Sequence, residues 1–207
     1  MQYEKDMVSQ SRLYNGTGYR DYLATGDEHP FLIEDWEDGS ILYDGELFPG
    51  VALMYDIRDD KVIIEHYTSR EKIQLIANKV SWFTLKERSF VNLNILSKKG
   101  FYEVLYDGPT KVYVKWEKFY WEQINQNSID RYFTFKTNCY IYKENTFYPV
   151  KSKQDELKAL VEHKSELNQF IKKNNLDFRV NREKNEYKSN REKNIARVAE
   201  YYDSLIK

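Results

Sequence analysis

Thirty-three carboxylates, three histidines and one cysteine are the side chains of this 207-residue chain with the most chemistry in them. Two carboxylates at a fixed separation can divide acid and base work across a glycosidic bond. Asp35, Asp44, Asp56 and Asp59 lie close enough in sequence to be weighed for that role. Spacing alone does not set any two of them at the required distance, and with so many acids some pair always looks suitable. His29, His66 and His163 show no ligand spacing. Glu65 and His66 are neighbours in a strand-like run, which sends them to opposite faces. Glu34–Ser40 is acidic, yet it lacks the alternating oxygen ligands and closing Glu of a calcium loop, so it reads as an acidic turn. Cys139, between Asn138 and Tyr140, reads as a buried structural thiol, and as the only cysteine it excludes an intrachain disulfide. There is no G-x-S-x-G elbow and no glycine-rich phosphate loop. Neither a metal, nor a cofactor, nor a catalytic set is expected.

The aromatic residues are the second source of function. The chain has 18 Tyr, 11 Phe and 4 Trp, and Trp116, Phe119, Tyr120, Trp121, Tyr132, Phe133 and Phe135 cluster. Rings alternating along strands pack as cross-strand pairs in a core. Exposed rings instead stack on sugars or line an apolar ligand cavity. Core packing accounts for most of the cluster. The candidate ligand-contacting residues are Trp36, Tyr43, Asp44, Tyr55, Asp56, Trp116, Trp121 and Tyr132.

Charge narrows the partners. With 32 basic and 33 acidic residues the net charge is -1, which argues against a general nucleic-acid binder. Residues 1–40 hold 3 basic and 9 acidic side chains, whereas residues 151–207 hold 14 and 10. These read as two solvated surfaces of opposite sign. No apolar run approaches the length of a transmembrane helix.

Three stretches must position these residues. Residues 1–39 read as an irregular segment, with turn signals at Asn15-Gly16 and Thr25-Gly26. Its Tyr14, Tyr19, Tyr22, Phe31 and Trp36 give it the means to pack over a larger body. Asn15-Gly16-Thr17 also fits the N-glycosylation acceptor pattern, a short match that chance often supplies. Residues 40–150 read as a long antiparallel meander of nine to eleven strands, cut by Asp44-Gly45, Arg58-Asp59-Asp60, Lys98-Lys99-Gly100 and Asp107-Gly108-Pro109. Val51, Leu53, Tyr55 and Ile57 share one face of their strand. Val112, Val114 and Trp116 share one face of another, with Tyr113, Lys115 and Glu117 opposite. Leu42-Tyr43-Asp44-Gly45 recurs as Leu105-Tyr106-Asp107-Gly108, which the demand of tight turns for Asp-Gly explains without a duplication. Residues 151–207 switch to helical period. Leu157, Leu160, Val161, Leu167, Phe170 and Ile171 mark one stripe, opened by Ser152 with Asp155 and closed at Asn174-Asn175. After a polar bridge, Ser189 with Glu192 opens a second helix carrying Ile195, Val198, Ala199, Tyr202, Leu205 and Ile206. The sheet is the nearest surface for these stripes, and a partner protein is the other. The fold class is therefore mainly β (α+β): an antiparallel meander forming an open or half-closed barrel or a sandwich, with C-terminal helices.

Taken together, His29-Pro30-Phe31, Trp36, Gly39-Ser40-Ile41, Tyr43-Asp44-Gly45, Val51-x-Leu53-x-Tyr55-Asp56-Ile57, Lys79-Val80-x-x-Phe83, Gly100–Leu105 and Glu200-Tyr201-Tyr202-Asp203 carry a likeness. The set resembles a widespread group of exported Bacteroidota envelope proteins without an assigned activity, over about Leu13 to Leu205. The resemblance implies a compartment: export to the periplasm or outer membrane, with Met1 standing in for a removed signal peptide. Asp203-Ser204-Leu205 resembles the short O-glycosylation signal of such proteins. The expectation is a non-enzymatic interaction subunit or accessory factor whose partner is another envelope protein. The alternative is a carrier that holds a lipid or glycan against an aromatic sheet face. A hydrolase using paired carboxylates is the third reading, and it requires a cleft with two close acids.

Overall fold

The computed structural model describes residues 13–25, 28–176, 178 and 190–206. The main element is a single open sheet of eleven strands, mainly antiparallel and not closed into a barrel. In chain order the strands are β1 Thr17–Gly18, β2 Glu37–Tyr43, β3 Glu46–Asp56, β4 Lys61–Glu65, β5 Lys72–Gln74, β6 Val80–Leu85, β7 Arg88–Ile95, β8 Lys98–Asp107, β9 Lys111–Ile124, β10 Ile129–Lys143 and β11 Thr146–Val150. The helices are α1 Lys153–Ala159, α2 Lys164–Lys173 and α3 Asn190–Leu205. The spatial order, β1-β5-β4-β3-β2-β6-β7-β8-β9-β10-β11, is two meanders running outward from a β2–β6 seam rather than one. Chain contacts divide the protein into two compact units, Met1–Leu93 with Glu117–Phe135 and Asn94–Trp116 with Lys136–Lys207.

In the first unit the sheet's apolar face is filled by rings. Phe83 and Phe90 stack at 4.8 Å, and Tyr55 meets them edge-on at 5.3 and 5.2 Å. The opening segment packs as its aromatics require. Phe31 is buried with Met54 and Ile63, and Tyr19 and Trp36 lie against them. Asn15 is engaged in the fold, since its Oδ1 accepts the Tyr43 hydroxyl at 2.6 Å. The segment also supplies β1 and a bridge from Phe31 to Asp56, and β2 starts at Glu37, inside the stretch read as an acidic turn.

In the second unit the helices do cover sheet, α3 against β8 and α1 against β11. Ser152 and Asp155 close a full capping box on α1. The single helix expected from Ser152 to Asn174 is broken instead by a 3-10 turn at Val161–His163, which leaves Val161 exposed. Ile195, Val198, Ala199 and Tyr202 on α3 are fully buried, whereas Ile206 is exposed. The cap expected from Ser189 lies outside the described residues. Lys111–Trp116 of β9 is buried on both faces apart from its first residue, so Tyr113 and Lys115 are not on a solvent face.

The two Leu-Tyr-Asp-Gly copies use their glycines differently. Asp44 and Gly45, with φ of 52° and 81°, form the two-residue turn between paired Tyr43 and Glu46. Asp107 pairs with Lys111 across a longer loop, and Gly108 is needed for space: a Cβ there would strike the Tyr106 hydroxyl. The turn expected at Lys98-Lys99-Gly100 falls instead at Leu96-Ser97, both at positive φ, and β8 begins at Lys98.

Candidate functional site

The far half of the β9–β10 hairpin belongs to the first unit and carries aromatics on both faces. Side chains alternate along a strand, so Phe119 and Trp121 share one face and Tyr120, Glu122 and Ile124 the other. The cross-strand bond from Trp121 Nε1 to Thr134 Oγ1, 2.8 Å, puts the even residues of β10 on the Trp121 face. Tyr120 meets Phe133 at 5.4 Å on the opposite one. The first face is open: Phe119 is 42% and Trp121 52% exposed, and Tyr132 is half-buried. The Thr134 bond holds the Trp121 indole across the strands. At the tip, Ile124 and Ile129 are 79% and 46% exposed beside a loop closed by Asn125 N–H donating to the Ser128 carbonyl.

Around Tyr120 and Phe133 the other face is covered by the opening segment. Tyr120 donates to the Leu23 carbonyl at 2.9 Å. Thr25 N–H donates to the Arg131 carbonyl, and the N–H groups of Arg131 and Phe133 donate to Thr25 Oγ1 and the Glu28 carboxylate at 2.9 and 2.8 Å. The outward N–H groups of a strand are thus satisfied largely by side chains.

The β3–β4 turn packs into the same unit. Asp56 is fully buried; its Oδ1 accepts the N–H groups of Arg58 and Asp59, and its Oδ2 accepts the Tyr19 hydroxyl at 3.0 Å. Burial raises the Asp56 pKa, and these hydrogen bonds only partly offset it. Asp59 binds Tyr22, Arg58 and Lys61. Burial and the Asp59 bond push the Tyr22 hydroxyl up to about 12. Tyr55 donates to Asp60 at 2.5 Å from inside the core. Nearby, Lys118 is buried, its Nζ donating to the His29 carbonyl at 2.7 Å with His29 Nδ1 at 3.5 Å. Burial brings its pKa down to about 8.

An open cleft of about 490 Å³ lies along β1 and β5, lined by Gly16, Gly18, Tyr19, Asp21, Lys72 and Ile73 among others. Its lining is mixed polar and apolar, and an Asp21–Lys72 ion pair of 2.6 Å sits in it.

A second concentration of charge is buried in the second unit. Arg191 donates to the Val150 carbonyl at 2.7 Å and to Glu192 at 3.1 Å, with the Cys139 sulfur 3.4 Å away. Thr137 also donates to Glu192. Glu156 is fully buried and neither of its oxygens has a hydrogen-bond partner. Burial pushes its pKa well up, against the pull of Arg191 and Lys153. Burial takes the Cys139 thiol up to about 12, so it is no thiolate at neutral pH.

Of the eight residues weighed for ligand contact, Tyr43, Tyr55, Asp56 and Trp116 are inside, with Trp116 Nε1 donating to Glu103 at 2.6 Å. Trp36 packs against the Phe31 cluster. Asp44 is in a turn, paired with Lys79 at 2.8 Å. Only Trp121 and Tyr132 come together on an accessible face. Phe119 joins them, and its i, i+2 spacing to Trp121 was the readable signal. Ile124 and Ile129 were missed; the Asn-Gln-Asn-Ser run between them marks a loop, and apolar residues flanking a loop are its usual exposed ends. Of the four acids weighed as a catalytic pair, donors enclose Asp56, Asp44 is paired with Lys79, Asp59 is bound by Tyr22, Arg58 and Lys61, and Asp35 is exposed. His66 closes its own turn, its Nδ1 accepting N–H from Thr68 and Ser69, so it does not alternate with Glu65 on a strand. Among the described residues no three side chains of metal-ligating type come together, and no helix is long and apolar enough to cross a membrane. Asp203 of the Asp203-Ser204-Leu205 triplet is buried, accepting Thr110 N–H at 3.0 Å, while Ser204 is exposed. Comparison with protein-family models, with curated proteins and with solved structures finds no match for this chain.

Proposed function

We propose that this chain is a non-enzymatic subunit or accessory factor of a cell-envelope protein complex, and that it docks through the open face of the β9–β10 hairpin. The observation that carries the reading is the exposure of Phe119 and Trp121 side by side, with Tyr132 across from them. Aromatic side chains with a polar handle and few rotatable bonds are the residues that dominate protein interfaces. The envelope location rests on the likeness to exported proteins described above. Catalysis has little support: the lone thiol is buried and protonated, and the buried acid of the turn is wrapped by donors.

The test is a gentle native pull-down from the envelope fraction of the source organism, repeated with Trp121→Ala and Phe119→Ala. A stoichiometric protein partner that is lost with Trp121→Ala is the expected result. Recovery of the wild type as a free monomer sinks the proposal. Recovery of a lone protein carrying a glycan or lipid instead makes it a carrier.

A further inference from the structure

On the covered face of the hairpin, two rings of a three-ring cluster face one cation. Tyr22 and Tyr120 lie 6.2 Å apart, and Phe133 lies 6.1 Å from Tyr22 and 5.4 Å from Tyr120. The Arg58 guanidinium sits 4.5 Å over the Tyr22 ring and 6.0 Å from the Tyr120 centroid. Its Nη1 reaches the Tyr22 hydroxyl and Asp59 Oδ1, both at 2.6 Å. These groups come from three parts of the first unit: the opening segment, the β3–β4 turn and the hairpin.

We propose that this cage is a recognition seat for an arginine side chain of a binding partner, which Arg58 fills in the unbound protein. Three features carry this. The ring faces and Asp59 together select a cation. The two acceptors facing one nitrogen favour a guanidinium over a quaternary ammonium, which can donate to neither. Finally, the occupant can leave. Arg58 is exposed with its side chain 34% accessible, and Tyr22 and Tyr120 are only half-buried. If it does leave, Asp59 keeps Lys61 at 3.1 Å, so the carboxylate is not stranded. The seat lies on the opposite face from Trp121, so its test stands apart from that of the docking face.

The probe is arginine amide, titrated at low salt against the wild type and Arg58→Ala, with tetramethylammonium as the comparison cation. Arg58→Ala is expected to bind arginine amide about tenfold more tightly than the wild type, roughly the ratio one desolvated cation–π contact with its carboxylate supplies. Adding Asp59→Asn should abolish that binding, and tetramethylammonium should bind more weakly. In the wild type, the Arg58 Nε–H resonance should move toward its free position as arginine amide is added. A resonance that stays fixed while Arg58→Ala binds makes the cage a purely internal fastening and overturns the proposal. So does equal binding by both proteins, or binding that survives Asp59→Asn. If Arg58→Ala does not fold, the wild-type resonance alone decides.

Discussion

Asp56 and Glu156 are both fully buried carboxyl groups with raised pKa values, and they are treated in opposite ways. Asp56 closes the β3–β4 turn with two backbone N–H groups and one tyrosine hydroxyl. Glu156 on α1 has no hydrogen-bond partner, and its only electrostatic compensation comes from Arg191 and Lys153. Removing water from a carboxylate costs several kcal/mol unless donors replace it. The first acid is therefore an organising part of its turn. The second is buried without donors, its pKa raised by that burial, and its removal should help the fold.

The comparison is sharpest at Asp56. Asp56→Ala leaves three part-buried donors without their acceptor and should destabilise the protein by about 3 kcal/mol in chemical denaturation. A loss below about 1 kcal/mol would mean that water reaches the turn. Glu156→Leu should do the reverse, stabilising by about 1–2 kcal/mol at pH 7 because an apolar side chain has no desolvation penalty. The sign also depends on pH. The folded-state pKa of Glu156 lies above its ordinary 4.5, so the unfolded chain loses its proton first and wild-type stability falls as pH rises above about 4.5. The advantage of Glu156→Leu should accordingly shrink as the pH is lowered toward 4.5, and an advantage that grows on acidification would show Glu156 to be ionised in the fold. Tyr19→Phe removes one of the three donors and should cost about 1 kcal/mol, clearly less than Asp56→Ala. The smallest effect is at Cys139, beside Glu192. Iodoacetamide at pH 8 should leave the native thiol unlabelled for hours and label it fully after unfolding. Native labelling would admit water to that cluster and take away the burial that raises the Glu156 pKa.

Much of the sheet was readable because alternation and turn chemistry are local. Asp44-Gly45 marked its hairpin, since a two-residue turn needs positive φ and Gly supplies it. Leu96-Ser97 adopts the same kind of turn with residues that seldom do, so the signal slid to the next glycine. Tyr55 is buried with Leu53 and Ile57 of the face it shares, against its place among the residues weighed for ligand contact. Burial of Asp56 was not readable, because the hydroxyl that covers it belongs to Tyr19, and nothing local joins the two. The same limit hid the sheet order: a strand's sequence tells which face is apolar and not which distant strand lies beside it. At the hairpin, parity along β9 separates Trp116 from Trp121, but only the structure tells which of the two faces is left uncovered.

The seam between β2 and β6 has a consequence for how the chain folds. Most strand pairings in the first unit join neighbours along the chain and can form as fast local hairpins. The seam pairs Ile41 with Phe83, across the whole β3–β5 meander. Entropy makes such a closure wait for the segment it spans. During synthesis β2 must emerge long before its second neighbour exists, with only β3 to shield it. Capture of β6 by the β2–β5 ribbon is therefore expected to limit the folding of this part of the sheet, and substitutions at Ile41 or Phe83 should slow folding more than equally buried changes at the β3–β4 pairing.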